Sequence, residues 1–392
     1  MKKVFVSIIV PLIVLTTFGL IVVGVIANPT DSGPNTEALI APVNVNEEVQ
    51  APLFVFDPEA VNYEISQPDY EWLELSDSSD EQITVDEIVD NVGSAEIDLG
   101  FYFPFFTEIY RQVRLSDNGY IYFGGEEAEG GNTPQAIPAD VDLIHNFIAP
   151  FGADLFRYPG DSTVYIARQS EPERHLVLQF QNAYWCCNLE APNNFQVVLY
   201  PDGRILTQYK SIHSENPPHA YLTVGLENEN GTRGYDFYTG YLDETDSLHD
   251  QLAVLYDPSD TVLGRILFIP ETVSAQGTPS QTITLNADLL NLSGVDSSFT
   301  ITHTMQVNGV EVSNLVETLP DSKTTWRFDI LSEPSLVANT YAAPLAVAVV
   351  IPELAAEGDT AVITFRALPE AISDFTPTVT FTVEVITTND QE

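Results

Sequence analysis

Phe195-Gln196-Val197-Val198-Leu199-Tyr200 runs into Pro201-Asp202-Gly203, and Arg204-Ile205-Leu206-Thr207-Gln208-Tyr209 follows. Two runs rich in β-branched and aromatic residues, joined by Pro-Asp-Gly, read as a β-hairpin. Proline presets a turn φ, and glycine accepts the positive φ that closes the turn. The same texture surrounds this stretch from Tyr63 onward. Val113-Arg114-Leu115, Tyr120-Ile121-Tyr122-Phe123, Val164-Tyr165-Ile166 and Leu176-Val177-Leu178-Gln179-Phe180 are short apolar runs bounded by Gly, Pro, Asn and Asp. Many short strands, with no helical period of useful length, are expected.

A second block begins near Val262, after Tyr256-Asp257-Pro258-Ser259-Asp260. Its alternation is cleaner: Ile283, Leu285 and Ala287 share one face, as do Phe299, Ile301 and His303. Asn308-Gly309 between Val307 and Val310 is a type I′ turn signal. Trp326, Phe328 and Ile330 follow, then Leu345, Val347 and Val349, then Ala361, Ile363 and Phe365, and finally Val379, Phe381, Val383 and Val385. About seven strands over roughly 125 residues match the size of an Ig-like sandwich. No internal repeat is evident in either block. The fold class expected is all-β, two β-sandwich-type domains after an N-terminal export or anchor segment.

Several motifs of the first block occur together and in order. They are Gly100-Phe101-Tyr102-Phe103-Pro104-Phe105-Phe106, Val113 to Gly124 with Ser116-Asp117-Asn118-Gly119 inside it, Ile148-Ala149-Pro150-Phe151-Gly152-Ala153-Asp154-Leu155, Phe195 to Ile205, and Thr223-Val224-Gly225-Leu226-Glu227-Asn228. Over roughly residues 61–257 this series resembles the nidogen-like extracellular β domain, found also in plexin-domain-containing receptors and secreted bacterial surface proteins. The resemblance implies a sandwich-like module of matrix, adhesion or surface proteins, with no catalytic residues to carry over. Residues 262–387 are similar to bacterial Ig-like modules, on Asn291 near a strand end, Val350-Ile351-Pro352-Glu353-Leu354-Ala355 and Gly358-Asp359. In bacterial chains the first module can accompany a subtilisin-like protease, but no His-Gly-Thr or Gly-Thr-Ser segment is present here.

Met1-Lys2-Lys3 precedes an uncharged run from Val4 to Ala27. A positive start, an apolar stretch and Val25-Ile26-Ala27 before Asn28 fit a cleavable export signal. The run is also long enough to span a bilayer as a retained anchor, so residues 1–27 are a signal peptide or a membrane anchor. Either way the body lies outside. Residues 28–51, rich in Pro, Asn and acid, read as a flexible spacer. The remaining divisions expected are a nidogen-like domain over 52–260, an Ig-like sandwich over 261–388 and a tail over 389–392.

The 392 residues carry 57 Asp+Glu against 14 Lys+Arg, a formal net charge of −43. Binding to nucleic acid needs a basic face, so no nucleic-acid partner is expected. Anionic lipid is equally disfavoured, and membrane contact is expected only through the N-terminal segment if uncleaved. The acid excess also suits a salty exterior, where the Debye length falls to ~3 Å at 1 M.

Cys186 and Cys187 are the two cysteines, adjacent in the chain. They are either two small apolar side chains beside Trp185 or a strained vicinal disulfide, because neighbouring Cα atoms lie only ~3.8 Å apart. An intermolecular bond or a metal remains as a further alternative. Calcium prefers oxygen ligands, offered by the acidic loops Asp77-Ser78-Ser79-Asp80-Glu81, Asp117-Asn118-Gly119 and Asp257-Pro258-Ser259-Asp260. The candidate ligands are Asp117, Asn118 and Asp154, the last because it follows an apolar run where an uncompensated carboxylate is costly. Against Ca2+ stands the solvated-loop reading, with Asp154 hydrogen-bonding a turn backbone. The histidines at 145, 175, 213, 219, 249 and 303 form no zinc motif. The aromatics Phe101, Phe103, Phe105, Tyr120, Tyr122 and Phe123 read as sandwich core or as a platform for sugar or protein. Asn230-Gly231-Thr232 and Asn291-Leu292-Ser293 match the glycosylation sequon.

The functional expectation is a non-catalytic secreted or cell-surface protein for adhesion or extracellular recognition, with an extracellular protein or glycan as ligand. Two rivals stand beside it. A glycoside hydrolase needs paired carboxylates roughly 5 to 9.5 Å apart in a cleft. A purely architectural envelope component needs self-association alone.

Overall fold

The computed structural model describes residues 61–75, 81–84, 96–124, 136–139, 144–156, 158, 161–186, 192–213, 221–242, 247–258, 265–312, 323–370 and 376–386. The expectations for residues 1–60 and for the tail lie outside these. Among the described residues all regular structure is β, and no helix is long and apolar enough to cross a membrane.

The first block supplies β1 (Tyr63–Ser66), β2 (Glu81–Thr84), β3 (Ile97–Phe105), β4 (Glu108–Leu115), β5 (Ile121–Tyr122), β6 (Phe147–Ala153), β7 (Leu155–Phe156), β8 (Thr163–Gln169), β9 (His175–Trp185), β10 (Pro192–Leu199), β11 (Ile205–Ser211), β12 (Tyr221–Glu227), β13 (Gly234–Tyr241) and β14 (Leu252–Pro258). One sheet has the order β1-β14-β11-β10-β9-β8-β2, with β7 on β9; the other runs β13-β12-β6-β5-β4-β3. Leu99, Phe103, Phe151 and Val224 from the second sheet meet Leu178, Phe180, Phe195 and Tyr256 from the first in one core. Phe105 stacks on Phe123 at 4.3 Å and Phe180 on Phe195 at 4.6 Å.

The Pro201-Asp202-Gly203 turn forms as its residues require. Leu199 pairs with Ile205, and Gly203 takes φ +91°, a conformation that a Cβ would strain.

The second block supplies β15 (Arg265–Ile269), β16 (Thr272–Gly277), β17 (Thr282–Leu292), β18 (Ser297–Val307), β19 (Val310–Glu311), β20 (Arg327–Ser332), β21 (Leu336–Val337), β22 (Ala342–Val350), β23 (Thr360–Pro369) and β24 (Thr378–Val385). Their sheets are β15-β17-β22-β20 and β16-β24-β23-β18-β19, with β21 on β18. In β23 and β24 buried residues alternate with more exposed ones, so one face enters a core of Leu285, Val347, Ile363, Phe365 and Phe381. Asn308 and Gly309 both have positive φ, 49° and 77°, and Val307 pairs with Val310 as the type I′ signal requires. The strand count of about seven was too low. β16 pairs in parallel with β24, while β19 and β21 are two-residue strands too short to leave an alternation.

Both blocks lie in one compact unit, Ala51–Glu392. The Tyr102 hydroxyl donates to Asp288 Oδ2 at 2.7 Å. The Arg174 guanidinium lies 3.9 Å from the Tyr341 ring centroid and donates to the Thr340 carbonyl. Arg265 is buried between the blocks and donates to the Thr107 carbonyl at 3.1 Å.

Strands β6 and β9 are buried on both faces. Tyr120, Tyr122, Ile137, Phe147 and Ala149 make a small apolar cluster separate from the main core. Leu73 and Leu75 cover Ala167, Val177 and Val198 on the outer side of the eight-stranded sheet. The segment carrying Leu73 and Leu75 positions the site described next.

Candidate functional site

Three glutamines stand in register across β9, β10 and β11: Gln196 opposes Gln179 on one side and Gln208 on the other. All three are at most 2% exposed. Gln208 Nε2 donates to the Glu71 carbonyl at 2.7 Å, and its Oε1 accepts from the Glu71 N–H at 2.8 Å. Gln196, with its amide oriented to satisfy both ends, pairs with the N–H and C=O of Leu73 at 3.1 Å and accepts from Gln208 Nε2 at 2.8 Å. Two side-chain amides thus hold the backbone of residues 71–73 as a neighbouring strand would.

The third rung differs. Gln179 Oε1 is buried and accepts no hydrogen bond, while its Nε2 lies 3.5 Å from Glu74 Oε1. Gln179 lines a groove of ≈430 Å³ together with Trp72, Glu74, Gln181, Asn194 and Lys210. Lys210 Nζ donates to Glu74 Oε2 at 2.6 Å and lies 5.4 Å from the Trp72 ring centroid. The Lys210 bond holds the Glu74 carboxyl below its usual range, so the groove carries one charge of each sign. The Trp72 indole N–H sits beside Glu74 without a hydrogen bond of acceptable geometry. Asn194 is fixed by donating to Ser211 Oγ at 2.9 Å and accepting from the Asn182 N–H at 3.1 Å.

Other grooves among the described residues include one containing Glu96 and one containing Glu353. Each of these carboxylates is paired with a cation, Glu96 with Arg114 at 3.2 Å and Glu353 with Lys323 at 2.8 Å.

Glu227 is a buried carboxylate of another kind. Fully enclosed, it meets His145 Nδ1 at 2.7 Å and accepts from the Ala139 N–H at 2.7 Å. Burial pushes its pKa above the usual range, against the bonds from His145 and Ala139. With one oxygen on His145 and the other on Ala139, Glu227 fastens the segment containing Ala139 to the end of β12.

The residues named from sequence as calcium ligands are placed differently from one another. Asn118 is 1% exposed. Its Oδ1 accepts from the Leu155 N–H at 3.0 Å, its Nδ2 donates to Asp117 Oδ1 at 3.2 Å, and its carbonyl accepts from the Ala153 N–H at 3.1 Å. Asn118 therefore ties the β4–β5 turn to the β6–β7 corner. Asp117 is buried in that turn, whereas Asp154 is solvent-exposed, so the desolvation argument for Asp154 fails. Among the described residues no three His, Cys, Asp or Glu converge as a metal set. Most of Asp77–Glu81, and Ser259 and Asp260 of the Asp257–Asp260 loop, lie outside the described residues.

The Cys186 N–H donates to the Asp154 carbonyl at 2.8 Å. Cys187, and with it the vicinal bridge, lies outside the described residues. Phe101, Phe103, Phe105 and Phe123 fill the main core, and Tyr120 and Tyr122 the smaller cluster, so these six aromatics are packing residues and not an exposed platform. Asn291 is fully buried, donating to the Val295 and Val337 carbonyls at 2.8 Å each, which removes it as a glycosylation acceptor; Asn230 is exposed.

Sequence reasoning missed the groove. The rungs come from three strands, and Trp72 from a segment with no strand period. Only Gln179, Gln196 and Gln208 within apolar runs hinted at it, as polar residues where the pattern asks for apolar ones.

No curated protein matches this sequence. Solved structures with some likeness include the ASH / PapD-like domain 7 of human CEP192, at 13% identity and TM-score 0.23, covering 33% of this chain and 89% of that one. The secreted serine protease VesC from Vibrio cholerae shows 7% identity and TM-score 0.23, covering 46% of this chain and 35% of its own. CfaE, the adhesive subunit of CFA/I fimbria of enterotoxigenic Escherichia coli, shows 9% identity and TM-score 0.16, covering 57% of this chain and 83% of that one. At these scores the likenesses carry no functional argument. The family model described as NIDO related matches residues 62–245, over the strands and core described above. Residues 62–245 therefore form a nidogen-like domain.

Proposed function

We propose that this protein is a non-catalytic extracellular or cell-surface recognition module, holding a protein or glycan ligand on its sheet faces. The observation that carries the reading is the outer face of the eight-stranded sheet, where polar side chains surround an open groove while both sandwich interiors are filled by side chains. The nidogen-like domain supports the extracellular placement. In the three grooves described above the one lining carboxylate is bound to Lys or Arg, so none of these three offers the two free carboxylates of a glycoside hydrolase. The test is a combined glycan and extracellular-protein array probed with the full chain. Saturable binding to a defined ligand, with no turnover, is expected. Self-association without any foreign ligand would instead make the protein architectural, and release of reducing ends from a bound glycan would make it a hydrolase.

A further inference from the structure

We propose that the joint between the two blocks is a latch: Arg174 of the first block holds the Ala338–Tyr341 turn of the second in a strained conformation, and the two blocks move and unfold as one body. Domains of one chain ordinarily shift against each other unless a large apolar interface joins them. Here polar groups pin the joint. The turn supplies the first observation. The Tyr341 N–H donates to the Ala338 carbonyl at 3.1 Å, and Thr340, third of the four residues, has φ +64°. That position of a type II turn ordinarily takes Gly or Asn, and a β-branched residue there is strained. Such strain persists only where the surroundings over-determine it. Thr340 is held from both sides: its N–H donates to the Asn291 carbonyl at 2.7 Å within the second block, and its own carbonyl accepts from Arg174 of the first. The Arg174 guanidinium also lies 3.9 Å from the Tyr341 ring centroid and 5.5 Å from that of Phe101, against one ring from each block.

The second observation is the placement of the other pins. The Tyr102 hydroxyl donates to Asp288 Oδ2 at 2.7 Å, with Arg111 Nη1 3.9 Å from the same oxygen, and Arg265 Nη1 donates to the Thr107 carbonyl at 3.1 Å. In the second block Arg265 opposes Leu292 across β15 and β17. The Asn291 N–H donates to the Tyr341 carbonyl on the other side of β17, and Asp288 lies further back along β17 itself. The three pins therefore make a triangle and not a line, which stops rotation as well as separation. Arg111, Arg174 and Arg265, drawn from only 14 Lys+Arg, all stand at this joint, where they offset the repulsion expected within a chain at −43.

The experiment follows the full chain by hydrogen exchange and mass spectrometry through a urea series, peptide by peptide. Peptides from β9–β11 and from β22–β24 are expected to lose protection at one shared midpoint. Arg174→Leu should raise exchange at the Thr340 and Tyr341 amides about tenfold or more and split the shared midpoint in two. Thr340→Gly removes the strain that Arg174 holds, so Arg174→Leu made on that background should raise turn exchange several-fold less. Should Arg174→Leu fail to fold, Asp288→Ala, at a partly exposed pin, should still part the two midpoints. Separate midpoints in the parent chain, or turn exchange and a shared midpoint unaltered by Arg174→Leu, overturns the latch. An equal effect of Arg174→Leu with and without Thr340→Gly overturns it too, because the turn then stores no strain for Arg174 to hold.

Discussion

Asn118→Ala separates a structural role for the Asp117-Asn118-Gly119 turn from a metal-binding one. The side chain's hydrogen bonds include one from the Leu155 N–H at 3.0 Å and one to Asp117 Oδ1 at 3.2 Å. Leu155 is itself 4% exposed, so water does not readily replace the lost acceptor. An orphaned buried donor costs roughly 1–3 kcal/mol and a second lost bond about 1, giving about 2–4 kcal/mol. Asn118→Asp keeps an acceptor for Leu155 but sets a second carboxylate against Asp117 inside a site only 1% exposed. Its stability should therefore fall as pH rises from acid to neutral. The assay is urea unfolding of both variants and the parent with and without calcium, together with hydrogen exchange at Leu155. Calcium should move no midpoint, whereas an ion at 100 times its Kd would add about 2.7 kcal/mol. A cost below about 0.5 kcal/mol for Asn118→Ala, the level of an ordinary surface change, refutes the hydrogen-bond reasoning. Rescue of Asn118→Asp by calcium restores the metal.

Glu227→Gln keeps an acceptor for the Ala139 N–H and removes a carboxyl whose pKa burial raises. A raised folded-state pKa gives stability that is complete below the unfolded value near 4.5 and is lost as pH climbs through the folded one. Urea midpoints stepped from acid to neutral pH should fall less in the variant; parallel curves would contradict this. Gly152→Ala places a Cβ 2.6 Å from Cζ of the buried Tyr120 ring, and overpacking should cost about 1–3 kcal/mol in the same assay. With a charge of −43, the melting temperature should rise with sodium chloride as the Debye length shrinks from ≈10 Å at 0.1 M to ~3 Å at 1 M. A flat profile would count against self-repulsion.

The sequence was most readable where one face meets a core and the other meets water. Val379, Phe381, Val383 and Val385 alternate along β24 and all enter the second core. Pro201-Asp202-Gly203 and Asn308-Gly309 were readable because their backbone angles demand those residues. Phe147 to Ala153 is buried on both faces, so its pattern identifies burial without orientation. The groove was not readable because its parts meet only through register: Gln179 and Gln196 become neighbours when β9 and β10 pair. Trp72 joins them because its segment bonds to glutamine side chains instead of to a strand. Glu227 was one acid among 57 Asp+Glu, with nothing local to mark it as enclosed.

Each block is fastened by its own two ends. Tyr63–Ser66 pairs with the strand that closes the first block, Leu252–Pro258, and Thr272–Gly277 lies beside Thr378–Val385 near the close of the second. A nascent or threading chain therefore carries open sheet edges until nearly a whole block has emerged, and these late, long-range pairings are intrinsically slow to form. The same arrangement makes truncation costly, because cutting ahead of Thr378 bares the flanks of β16 and β23 together, two edges on which another copy can assemble.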